Sequence, residues 1–127
     1  MTDPSDQERV TGIGGVFFRA RDPEALAAWY QTHLGVPMGE DGFVTFAESR
    51  DTHWVPFPED TTYWPADRQA MLNFTVRDLD AMVAQLRAGG VDVDVSVEEH
   101  EYGRFGWLVD PEGNRVELWE PPRRDES

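Results

Sequence analysis

Residues 13–20 alternate along the chain, with Val16, Phe18 and Ala20 on one face and Gly15, Phe17 and Arg19 on the other, which predicts a strand. The alternation stops at Asp22-Pro23-Glu24, where an N-cap oxygen, a proline suited to the first helical position and an acid near the positive end of the dipole open a helix. Leu26, Trp29, Tyr30, His33 and Leu34 then recur at helical spacing, and Gly35 offers a left-handed cap, so the helix is predicted over 23–34. A short strand is expected at 36–39. Asp41-Gly42 signals a hairpin into a second strand at 43–46, and a last strand of this half is predicted over 52–57. Pro58 and Pro65 punctuate the connector that follows.

The same order begins again at Met71. Leu72, Phe74 and Val76 alternate with Asn73, Thr75 and Arg77, Asp78 stands at the N-cap position, and Leu79, Met82, Val83 and Leu86 form the helical stripe. Gly89-Gly90 ends this helix. Strands are predicted at 91–97, 104–109 and 115–119, the last two joined by the turn Asp110-Pro111-Glu112-Gly113-Asn114. Asp78 follows Asp22 by 56 residues and Gly90 follows Gly35 by 55, a nearly constant offset across strand, cap and helix that marks a duplicated strand–helix–strand unit. The domain is therefore expected over 12–122, as repeat one (12–58), a connector (59–69) and repeat two (70–122), between a flexible N-terminal segment (1–11) and a flexible tail (123–127).

Composition narrows the chemistry. The 127 residues, 39% of them apolar, suit one domain with its own core, and the absence of cysteine excludes disulfides, thiolate metal sites and thiol nucleophiles. Eleven basic against twenty-five acidic residues give a net charge of −14, which argues against nucleic acid and anionic membranes as partners. No apolar run approaches the ~18 residues that span a bilayer; a soluble cytoplasmic protein is expected. There is no glycine-rich phosphate loop, no GxSxG elbow and no HExxH helix.

The segments IGGVFFRARDPEALAAWYQTHLG (13–35), FTVRDLDAMVAQLRAGGV (74–91) and GRFGWLVDPEGNRVELWEPP (103–122) resemble the vicinal oxygen chelate superfamily, which includes glyoxalases, bleomycin-resistance proteins and extradiol dioxygenases. The last segment is the most specific, with its DPxGN turn and its strand ending in Glu-Leu-Trp. The resemblance implies an α+β fold in which two βαβββ repeats form a U-shaped mixed sheet around a cavity, with helices outside, and commonly a homodimer. It also implies that any divalent metal would sit on the sheet floor with ligands from the first and last strand of each repeat. Those positions carry Gly15, His53, Met71 and Glu117 in this chain, so the resemblance supplies at most two protein ligands, Glu117 and His53. A site built on two ligands would hold its ion weakly. The favoured reading requires no cofactor; zinc, nickel, manganese or iron at Glu117 and His53 is the alternative.

Glu117 is the candidate catalytic residue, as general base or metal ligand, against the plainer reading of an ion pair with Arg115 or Arg19. The candidate substrate-binding residues are Phe17, Arg19 and Asn73 from cavity-facing strand positions, Trp54 from an aromatic group with Phe57, Tyr63 and Trp64, and Tyr102, Arg104 and Trp107 from the segment 98–107. Trp119, on the same strand face as Glu117, completes the set. His33 suits the negative end of its helix and His100 is placed in a loop; neither needs a role. The resemblance implies a glyoxalase-like protein that binds a small organic molecule, and on one reading transforms it by a lyase, isomerase or dioxygenase step. The competing reading is sequestration, of bleomycin-resistance type, of a cationic or aromatic compound; a dimeric scaffold without a ligand is the third.

Overall fold

The computed structural model describes residues 8, 16–47, 52–53 and 55–122. Helix α1 spans Pro23–Leu34, as the caps predict: the Asp22 carboxylate accepts from the Ala25 amide at 3.0 Å, and Gly35 closes the helix at φ 67°. Strand β1 (Leu72–Thr75) leads into helix α2 (Leu79–Ala88), whose Asp78 cap accepts from the Ala81 amide at 3.0 Å. Four strands follow: β2 (Asp92–Val93), β3 (Glu98–His100), β4 (Gly103–Val109) and β5 (Arg115–Glu120). Together the five form one mixed sheet ordered β1-β5-β4-β2, with β3 also on β4; only the β1–β5 pairing is parallel, and the sheet does not close.

The period of two decides what each strand buries. Leu108, Val116 and Leu118 point to one side and are fully buried with Leu79 and Leu86, while Leu26, Tyr30 and Val83 complete the cluster between the sheet and the two helices. Each fully buried leucine contributes about 1.5–3 kcal/mol relative to exposure. The other side of the sheet carries Asn73, Trp107, Glu117 and Trp119.

The closing hairpin also fixes where both helices begin. Glu112, in the turn between β4 and β5, accepts from the amides of Arg21 (2.8 Å) and Asp22 (3.0 Å), and Glu120 accepts from the Leu79 amide (2.8 Å). A carboxylate at a helix start satisfies otherwise unpaired N–H groups and suits the dipole. Within that turn Asp110 is buried and accepts from the amides of Glu112 and Asn114, the Asn114 side chain and the Tyr30 hydroxyl, at 2.8–2.9 Å. The DPEGN sequence is thus a clasp that holds α1, and through Arg68 Nη2 donating to the Glu112 carbonyl (2.7 Å) the connector, against the sheet.

The two repeats are not equally regular. Residues 16–20 carry no strand pairing, and the strands predicted at 36–39 and 43–46 are reduced to one antiparallel bridge, Met38–Val44. The described part of 52–57 is irregular as well. Pro37, Pro56 and Pro58 remove ladder donors from these short segments, and their apolar side chains lack a covering face: Phe17 is 96% exposed, and Val16, Phe18, Phe43 and Phe46 are exposed too. In the second repeat, the strand predicted over 91–97 survives only as β2. His100, expected in a loop, lies in β3, because Glu101-Tyr102 and Gly103 (φ 129°) make a tight reversal that folds Glu98–His100 back along β4.

Candidate functional site

Register builds the polar centre. Asn73 on β1 and Trp107 on β4 both sit opposite Glu117 on β5, so three side chains from three adjacent strands meet on the face turned away from the helices. Glu117 is 7% exposed. Its Oε1 accepts from Asn73 Nδ2 at 2.7 Å; its Oε2 accepts from Trp107 Nε1 at 3.1 Å and from the Tyr63 hydroxyl. All three donors are neutral, and among the described residues no arginine or histidine forms an ion pair with this carboxylate. Burial, and then the adjacent Glu117 carboxylate, push the Tyr63 hydroxyl's pKa well above the usual phenol range.

Beside this centre opens a cleft of about 970 Å³. Phe57, Tyr63, Trp64 and Trp107 give it aromatic walls; Thr61, Asp94, Glu98 and Arg115 supply polar groups. Arg115 does not neutralise Glu117. Its Nη1 meets Asp94 Oδ2 at 3.3 Å, and its guanidinium carbon lies 5.2 Å from the Trp107 ring centre and 5.9 Å from that of Tyr63. Phe57 stacks on Tyr63 (5.8 Å) and meets Trp64 edge-on (5.0 Å), which makes the wall one packed unit.

Of the residues expected to bind substrate, Asn73 and Trp107 are brought to Glu117. Trp119 shares the face but belongs to a second aromatic strip, stacked on Phe105 (6.3 Å), approached edge-on by His53 (5.7 Å) and donating to the Tyr102 carbonyl (2.8 Å). Tyr102 in turn stacks on His100 at 5.0 Å. Arg104 lies on the helix side of the sheet, where it reaches Asp80 (3.0 Å), Glu99 (3.5 Å) and Glu120 (3.6 Å), so its charge serves a surface network away from the cleft. Phe17 and Arg19 are exposed and line no part of the cleft. Gly15 and Trp54 lie outside the described residues.

These surroundings do not suit the divalent metal that the fold family implies. Both Glu117 oxygens already accept hydrogen bonds, His53 lies against Trp119, and among the described residues no three His, Asp or Glu side chains gather as a metal site. Two groups that matter here were not foreseen in these roles. Strand parity does place Arg115 on the face of Glu117, but its pairing with Asp94 depends on the turn after β2. Tyr63 stands on an irregular connector, where no periodicity shows which way it points.

The glyoxalase-like domain model matches residues 15–119. No curated protein matches the chain. Among solved structures, TnmS3, an antibiotic binding protein from Streptomyces sp. CB03234, is similar at 24% identity and a TM-score of 0.52, over 80% of this chain and 88% of that one. A lactoylglutathione lyase from Agrobacterium tumefaciens is similar at 20% identity and a TM-score of 0.59, over 89% and 96%. A member of the glyoxalase/bleomycin resistance protein/dioxygenase superfamily from Sphaerobacter thermophilus DSM 20745 gives 22% and 0.51, over 80% and 90%. At such identities these likenesses concern the fold. With a family model spanning most of its length and the shared fold beneath it, the chain belongs to the glyoxalase-like domain family.

Proposed function

We propose that this chain binds a small aromatic compound in the cleft beside Glu117 and sequesters it without chemical change. One observation carries the reading: the carboxylate at the polar centre is held by three neutral donors, Tyr63, Asn73 and Trp107. A general base needs a lone pair aimed at the substrate, and a metal ligand needs one aimed at the ion. Glu117 instead organises the floor and orients Tyr63 and Trp107 as walls. TnmS3, an antibiotic binding protein, agrees with sequestration on this fold.

No metal is required on this reading. A homodimer goes with it, supported by the exposed Phe17, Phe18, Phe43 and Phe46, and so does a cytoplasmic location, which a chain without cysteine permits. Among the described residues no helix is long and apolar enough to cross a membrane.

The test combines metal analysis with binding. Protein purified without chelator should carry well under one equivalent of zinc, nickel, manganese or iron; one full equivalent overturns the reading. With 2-acetonaphthone as probe, quenching of tryptophan fluorescence should report binding that Trp64→Ala weakens about tenfold, the loss of roughly 1.4 kcal/mol of ring contact. Recovery of the probe in altered form would overturn sequestration in favour of the enzyme reading.

A further inference from the structure

Arg115 is the cation of the cleft, and its donors are mostly unused. A guanidinium carries five N–H groups in a rigid fork. Among the described residues Arg115 makes one hydrogen bond, from Nη1 to Asp94 at 3.3 Å, and its Nε is buried without a partner. The other arginines beside the sheet are differently placed: Arg104 reaches three carboxylates on the far face, and Arg68 Nη2 is committed to the Glu112 carbonyl. Nor does Arg115 pair with Glu117, whose oxygens accept from neutral donors.

Its orientation is fixed as well. The guanidinium carbon lies over the rings of Trp107 and Tyr63, at 5.2 and 5.9 Å from their centres, and Asp94 holds one corner of the group. A charge group pinned in this way, with free donors in a cleft walled by Phe57, Tyr63 and Trp64, matches a ligand that presents a ring to the wall and an oxygen to the fork. Asp94 balances its charge and Glu98 is paired with His100 (3.1 Å), so the position does not call for a cationic ligand despite the net charge of −14.

We propose that Arg115 is the specificity-determining residue of the cleft, donating to an oxygen acceptor, carbonyl or carboxylate, on a planar aromatic ligand. This rests on the reading of the cleft as a ligand site. Four probes of one ring system test it by tryptophan fluorescence and calorimetry: 2-ethylnaphthalene, 2-acetonaphthone, 2-naphthoate and 2-naphthylmethylammonium. The ketone, the carboxylate or both should bind at least about tenfold tighter than the hydrocarbon, the difference made by one hydrogen bond to a charged group; which of them leads tells a neutral from an anionic acceptor. Arg115→Met should erase that preference while leaving 2-ethylnaphthalene binding within about twofold, and Arg115→Lys, a point charge without the fork, should keep only part of it. The wild-type ranking stands without either variant. If the ammonium probe binds tightest, or if Arg115→Met weakens all four alike, the assignment of Arg115 falls while the cleft remains a binding site. If none of the four binds wild-type protein, the proposed function falls and this inference with it.

Discussion

Asp110 and Glu117 are both buried acids, and each accepts a hydrogen bond from a tyrosine hydroxyl: Tyr30 for Asp110 at 2.8 Å, Tyr63 for Glu117. Burial first, and the neighbouring carboxylate second, push both phenols above their ordinary range. A phenol whose folded pKa exceeds its unfolded value of about 10 contributes stability that is complete below pH ~10 and is lost as pH rises above it. The sequence contains no lysine, so lysine titration does not obscure this window. Stability measured by urea denaturation should therefore fall steeply above pH ~10, and Tyr30→Phe together with Tyr63→Phe should flatten the fall. At pH 7 each single variant should lose about 1–2 kcal/mol, because a buried carboxylate is deprived of one donor. A pH profile unchanged in the double variant would contradict the two pairings. At this scale strand parity made the neighbourhood of Asn73 and Glu117 legible in the sequence, whereas the Tyr63 contact was not: no repeat governs side-chain direction in a connector.

Among the elements, the hairpin β3–β4 turns on one residue. Gly103 adopts φ 129°, and a Cβ there would approach the Glu120 carbonyl to 2.6 Å and strike the Trp119 indole. Gly103→Ala should thus destabilise the protein by more than about 1 kcal/mol, read from the urea midpoint at constant m-value, since the positive φ and the close backbone carbonyl both oppose a side chain there. The indole in question donates to Tyr102, so the variant should also disturb the near-ultraviolet circular dichroism of the Trp119–Phe105 stack. The first helix was legible to the residue and the second in its start and its closing glycines, because Asp22, Asp78 and those glycines act locally. The short strand Glu98–His100 was not, since an element of three exposed residues has no apolar rhythm and exists only through its partner β4.

For the molecule as a whole, twenty-five acids against eleven bases outweigh the ion pairs that the fold forms. Self-repulsion of this size destabilises the compact state, and salt screens it over a Debye length that falls below 10 Å above ~0.1 M. The melting temperature at pH 7 should rise by a few degrees between about 10 mM and 300 mM sodium chloride. A drop on adding salt would mean that local networks such as Arg104 with Asp80, Glu99 and Glu120 dominate instead. The duplication also belongs to this scale. It was visible in the sequence as a nearly constant offset, yet the described sheet comes from the second repeat, while the first contributes α1 and a single bridge.

The sequence by itself determined whatever neighbouring residues settle among themselves: the two capped helices, the DPEGN turn, the β4–β5 hairpin, and the face on which Glu117 stands. Tertiary structure alone decided what Glu117 is. Its donors Tyr63 and Asn73 lie 54 and 44 residues away, and they meet it because a connector folds over the sheet and a parallel strand docks in register. The same long-range packing turned Arg115 from the expected partner of Glu117 toward Asp94 and the cleft. Local propensity fixes elements and their faces. Which polar groups satisfy a buried carboxylate is fixed only when distant segments close around it.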